Sequence, residues 1–157
     1  MYIIKQGLNK KEKKQIQFIL GEVCDLYSDF YVTKNNVRIP LRDNPEVLFD
    51  YLRKGDRIVY EIDGEKGLGL VTGWSDKSSR IYVKVLTKDL KSANNFLKII
   101  NWNIFVDLYC KLKKNNPLSK IFLRNGYVFK GDRGSEILLC REYKSRPKKN
   151  FENKKDE

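Results

Sequence analysis

Apolar residues along this chain switch between two spacings, and the switches mark out its elements. Met1 to Lys5 reads as a first strand, and Leu8-Asn9 introduces a helix over about Lys10 to Tyr27 whose Ile16, Ile19, Leu20 and Val23 share one face. Tyr31 to Leu41 reads as an extended loop, and Asn44-Pro45 opens a second helix that Gly55-Asp56 stops. Three β-segments follow, Arg57 to Ile62, Gly67 to Trp74 and Arg80 to Leu86, joined by polar turns into an antiparallel meander. Then come a helix at Leu90 to Ile100, a strand from Ile104 to Leu112, a short helix, and a final hairpin turning at Lys130 to Gly134. The predicted order is β-α-α-β-β-β-α-β-α-β-β, an α/β (α+β) class with a mixed central sheet flanked by helices.

The short helix sits in the most organised stretch, Asn115 to Phe129. Asn116 can cap it, and Pro117 suits the first helical position, where a missing N–H costs nothing. Leu118, Ile121 and Phe122 fall on one face, and Gly126 fits a left-handed stop before the strand-like Tyr127 to Phe129.

A length of 157 residues suits one domain, and 41% hydrophobic with 33% charged residues describes a folded core under a wet surface. Residues 1–143 form that expected domain, and 144–157, KSRPKKNFENKKDE, read as a basic polar tail. No apolar run is long enough to span a membrane, and Met1-Tyr-Ile-Ile-Lys lacks the features of a signal peptide, so a cytoplasmic protein is expected. Cys24, Cys110 and Cys140 form no CxxC pair, and the chain has no histidine. Disulfide frameworks, zinc ribbons, Ser-His or Cys-His nucleophiles and HExxH sites are therefore excluded, and no metal is expected. Carboxylates, Tyr, Lys, Cys and backbone groups are what chemistry can use.

Asn115, Gly126 and Tyr127 have the spacing of the last motif of the GNAT superfamily of acyl-CoA N-acyltransferases, in which an Asn opens a helix and Gly-Phe or Gly-Tyr closes it. The element order from Met1 to Tyr143 resembles the same family. The resemblance implies a single GNAT-like domain that transfers an acyl group from acetyl-CoA or another acyl-CoA to an amine, a small molecule or a protein. It implies a phosphate loop of the form Arg/Gln-x-x-Gly-x-Gly/Ala, onto which Lys88, Lys91 and Ala93 align, with Lys91 at the first glycine. The loop is thus degenerate, and the residues alone describe a polar helix start capped by Asp89 or Ser92. By the same resemblance pantetheine pairs with backbone groups near Val83 and Val85, and Asn115 and Phe122 border the cofactor. The family often has a proton-donating Tyr four residues before the motif's Gly; here Phe122 stands there, leaving Tyr109, Tyr127 or water as acid. Glu61 and Asp107, both on predicted strands, are the candidate bases.

The net charge of +12 calls for a polyanionic partner or neighbourhood, and Lys10, Lys11, Lys13, Lys14 and the tail are the candidate contacts, to nucleic acid or an acidic protein surface. Lysines and aromatics interleave in Arg80 to Lys84 and Tyr109 to Lys114, a pattern that fits either a stacking surface for single strands or a half-buried strand with one wet face. The altered loop and Phe122 support an alternative to the enzyme: a catalytically inactive GNAT-like fold serving as a binding or structural component of a larger assembly, such as a phage particle or nucleoprotein.

Overall fold

A computed structural model of the chain describes residues 2–23, 31–40, 45–61, 67–73 and 80–144. The elements are β1 (Tyr2–Lys5), α1 (Lys10–Glu22), β2 (Tyr31–Lys34), β3 (Val37–Pro40), α2 (Pro45–Tyr51), β4 (Arg57–Glu61), β5 (Gly67–Thr72), β6 (Ile81–Thr87), α3 (Leu90–Asn103), β7 (Leu108–Lys113), α4 (Leu118–Arg124), β8 (Val128–Arg133) and β9 (Glu136–Arg141). Seven strands form one mixed sheet in the order β1-β4-β5-β6-β7-β9-β8.

The expected meander is present, with β4, β5 and β6 antiparallel to one another. β6 and β7 run parallel across α3, because the connection is too long for a hairpin and must cross over as a helix. Helices cover both faces. A Cβ built on Gly69 would lie 2.5 Å from Ile100 Cδ1, so α3 closes the face that carries Gly69. Lys5 pairs with Glu12 and Tyr60 donates to Glu12, which sets α1 on the other face. Glu12 also closes a capping box with Asn9, whose side chain accepts the Glu12 N–H at 2.8 Å. The core between these layers includes Ile16, Leu20, Leu68, Leu70, Val83, Val85, Phe96, Ile100, Leu108 and Phe122.

Four expectations are corrected. Tyr31 to Leu41 is not an extended loop: it holds a two-stranded antiparallel hairpin apart from the main sheet, turned by Asn35 and Asn36 at φ +53 and +65. Two consecutive left-handed residues suit a tight hairpin, and Asn tolerates that region better than most residues. The first helix stops at Glu22, with Val23 extended as its cap, short of the expected Tyr27. α3 runs a turn beyond Ile100, and Ile104 is its buried C-cap rather than the start of a strand; β7 begins at Leu108. The last turn is tighter than Lys130 to Gly134, since β8 runs through Arg133 with a bulge between Phe129 and Gly131. The polar turns expected between the three meander segments, Cys24, and the tail from 145 onward lie outside the described residues.

Candidate active site

The ladder between β6 and β7 contains two pairs, Ile81↔Leu108 and Tyr82↔Tyr109. Past them β6 pairs only with β5, and β7 only with β9. A parallel pair that separates in mid-sheet leaves backbone groups of both strands facing a crevice rather than each other. Val83 and Val85 lie on β6 along that crevice, their side chains buried beneath α3.

At the open end a cleft of about 420 Å³ lies between the start of α3 and the loop into α4. Leu90, Asn115, Lys114, Lys120 and Arg124 line it, and no acidic side chain does among the described residues. Lys114 is already paired with Asp132 at 2.8 Å. Asn116, not Asn115, starts α4: its Oδ1 accepts the Leu118 N–H at 2.8 Å, and Pro117 already has helical dihedrals. Asn115 is exposed in the cleft, and Gly126 ends the helix at φ +91.

The start of α3 is capped by Asp89, whose side chain accepts the Ser92 N–H at 2.7 Å. That bond, with Lys88 and Lys91 nearby, holds the Asp89 carboxyl below the usual carboxylate range. The amide of Ser92 is thus taken by a carboxylate of the chain itself. Ser92 and Ala93 are buried, while Lys88 and Lys91 are exposed and point their charge to solvent. Lys91 is thus exposed at the start of α3, and Asp89 occupies the Ser92 amide there.

The remaining candidates separate. Tyr109 is half-buried beside the crevice, its ring 6.0 Å from Tyr82 and 4.9 Å from the Arg80 guanidinium, and burial pushes its hydroxyl up. Tyr127 is buried behind α4, edge-on to Phe122 at 4.9 Å and donating to Asn101 Oδ1 at 3.2 Å. Burial drives its hydroxyl far above the ordinary tyrosine range. Phe122 is likewise buried. Glu61 ends β4, two strands away from β6 in the sheet. Asp107 is on a loop before β7 rather than on a strand, at the end where the ladder is closed, and it accepts the Tyr143 N–H at 2.7 Å.

On the sheet face opposite α3, two adjoining cavities of about 200 and 160 Å³ share Tyr51, Thr72 and Tyr82. Lys84 and Lys111 line the first, and Arg53, Asp56 and Arg80 the second. These residues were visible in sequence only as alternating lysines and aromatics. The register explains the alternation: Tyr82 and Lys84 on β6, with Tyr109 and Lys111 on β7, occupy one face by the strand's period of two. Burial pushes the Lys84 ammonium down.

Two openings thus flank one crevice, and the fold that holds them recurs in solved structures. An N-acetyltransferase from Staphylococcus aureus superposes with a TM-score of 0.61 at 16% identity, over 90% of this chain and 97% of that one. The chain has the GNAT acyl-CoA N-acyltransferase fold. The PaiA N-acetyltransferase of Thermoplasma acidophilum, solved in complex with coenzyme A, matches at TM-score 0.59 and 10% identity, over 91% of this chain and 99% of that one. The ribosomal-protein-alanine N-acetyltransferase of Brucella melitensis matches at 0.53 and 10%, over 89% and 99%. No family model matches the chain, and no curated protein matches it in sequence. Among the described residues of this GNAT fold, no cluster of His, Cys, Asp or Glu could hold a metal ion, and no helix is long and apolar enough to cross a membrane.

Proposed function

We propose that this protein is an acyl-CoA-dependent N-acyltransferase acting on a small amine. The observation that carries the reading is the β6/β7 ladder of two pairs, which opens a crevice between a cationic cleft and a separate cavity on the other face. When bound, acyl-CoA supplies the acyl group as a thioester, from which the amine nitrogen displaces the thiolate. Lys120 and Arg124 are the cations for its phosphates, and the unpaired edge of β6 from Val83 to Val85 offers backbone partners. The donor set fits through side chains, since Asp89 takes the Ser92 amide that a helix start would offer an anion. Tyr109, beside the crevice, is the candidate proton donor to the leaving thiolate.

A second reading has its own support. Asp89 at the helix start and Phe122 at the donor position favour a GNAT fold that binds a partner without transferring an acyl group. Calorimetric titration with acetyl-CoA, followed by thiol release in the presence of amines, separates the two. Saturable binding with amine-dependent thiol release supports the enzyme; no heat at millimolar acetyl-CoA removes it.

A further inference from the structure

The cavity of about 200 Å³ opposite α3 is lined by two amines of the chain itself, Lys84 and Lys111. Each follows the Tyr82↔Tyr109 pair by two residues, on β6 and β7 respectively, so the two flank the crevice on one face where the strands have just parted. Lys111 is exposed, and its Nζ lies 5.0 Å from the centroid of the Tyr82 ring. Lys84 is half-buried: Leu70 of β5 stands beside it in the ladder, and Tyr51 of α2 and Thr72 of β5 share its cavity wall.

A lysine is inert while it is an ammonium, and it becomes a nucleophile when desolvation or a neighbouring cation favours the neutral amine. Lys84 has both. Burial is the largest influence and pushes its ammonium down, and Lys111 on β7 pushes the same way, while Cys110 on β7 and Glu136 on β9 act against them. Lys84 also interacts with its neighbours in the fold. A neutral amine can keep donating to such a neighbour through N–H while its lone pair attacks a carbonyl carbon. In the acyltransfer reading, an acceptor amine must reach the crevice through this same cavity, and Lys84 is an amine already there.

We propose that Lys84 accepts an acyl group from a thioester, so that the protein acylates itself inside this cavity. The Nζ lone pair forms a bond to the thioester carbonyl carbon, the C–S bond breaks, and the proton lost from nitrogen ends on the departing thiol. The amide formed does not pass the acyl group on. It is an end state that removes the Lys84 charge and fills part of the space an acceptor amine would enter.

The acyltransfer reading is needed only for the delivery of acyl-CoA, so the test uses a donor that requires no coenzyme A site. The full chain is incubated at pH 7 with S-acetyl-N-acetylcysteamine, and acetylation of each lysine is followed by peptide mass spectrometry. Lys84 should react at least about tenfold faster than the exposed lysines of α1, an advantage lost in urea and above about pH 10, where lysines in general become neutral. Lys111→Gln, at an exposed position, should slow Lys84 by about threefold or more, because losing the adjacent cation returns it toward the ammonium; Lys111→Arg should not. Lys84 reacting no faster than the α1 lysines, an advantage that survives urea, or a rate unchanged by Lys111→Gln overturns the inference. Acetyl-CoA then replaces the small thioester. Transfer to added amines with Lys84 untouched by either donor overturns self-acylation and leaves the enzyme standing, whereas Lys84 acetylated by the small thioester alone, with no binding of acetyl-CoA, supports the reactive lysine and counts against the enzyme.

Discussion

The Asp89 carboxylate accepts the Ser92 backbone N–H at 2.7 Å, placing a fixed negative charge at the start of α3, beside the cleft proposed above to take the acyl-CoA phosphates. Asn caps a helix as well as Asp but is neutral. Asp89→Asn should therefore keep the helix and tighten acetyl-CoA binding by roughly threefold or more, read by calorimetry. Asp89→Ala loses the cap and should cost about 1 kcal/mol in urea unfolding.

The same bond gives a pH dependence with a fixed sign. The folded carboxyl lies below its unfolded value, so its contribution is fully present above the unfolded pKa of about 4 and is lost as pH falls through the lower folded value. Unfolding series should show that the stability advantage of wild type over Asp89→Ala shrinks below about pH 4. An advantage that grows on acidification would mean the carboxylate does not cap the helix.

Tyr127→Phe separates a core residue from a catalyst. The variant loses the bond to Asn101 but keeps the edge-on contact with Phe122, so stability should fall by about 0.5–1.5 kcal/mol. Thiol release should be unchanged in rate and in pH profile; a collapse of turnover in a folded variant would return Tyr127 to the mechanism.

Gly67 and Gly69 should respond differently to alanine. At Gly69 the added Cβ meets the tip of Ile100 at 2.5 Å, whereas at Gly67, with φ +157, it meets Thr87 Cγ2 at 2.6 Å and the Leu86 carbonyl at 2.9 Å. A side-chain tip can be shortened and a carbonyl cannot. Gly69→Ala should cost about 1–3 kcal/mol and be largely relieved by Ile100→Val, while Gly67→Ala should cost more and gain nothing from that change.

The sequence made α1, the meander, α3 and α4 legible because each is decided locally, by a cap such as Asn9, a glycine stop such as Gly126, or a change of period. What was not legible depends on distant partners. The end of α3 is fixed by Arg141, which donates to the carbonyls of Asn101, Ile104 and Val106 from a strand 35 to 40 residues away. Without that partner Ile104 reads as the first residue of a strand. The β2–β3 hairpin was hidden by its weak alternation, since Val37 is exposed although apolar, and Asn35-Asn36 was its only turn signal. At the site, the motif singled out Asn115, but the parting of β6 from β7 and the cations Lys120 and Arg124 emerge only when the strands are paired and α4 is set against the start of α3. The choice between Asp89 and Ser92 as cap likewise needed backbone geometry.

The basic surface yields a salt experiment. Lys10, Lys11, Lys13 and Lys14 are exposed on the first turns of α1, and residues 144–157 hold six Lys/Arg against three Asp/Glu. We propose that they contact a polyanion. With single-stranded or duplex DNA the logarithm of affinity should fall with log salt by about 0.7 to 0.9 per phosphate neutralised. Changing Lys10, Lys11 and Lys14 to Gln, or deleting 144–157, should make the slope shallower by anisotropy titration; a slope unchanged by both, or no binding at low salt, removes this surface from nucleic-acid recognition.

The place of β9 between β7 and β8 has a bearing on how the chain is made. Synthesis delivers β8 before the strand that must join it to the sheet, so the outer edge of β7 stays open until residues 136–141 leave the ribosome. The same strand brings Arg141 to the carbonyls at the end of α3. A nascent chain stalled in α4 or β8 would therefore carry a bare sheet edge and an unfinished helix together, the state most exposed to pairing with another copy of itself.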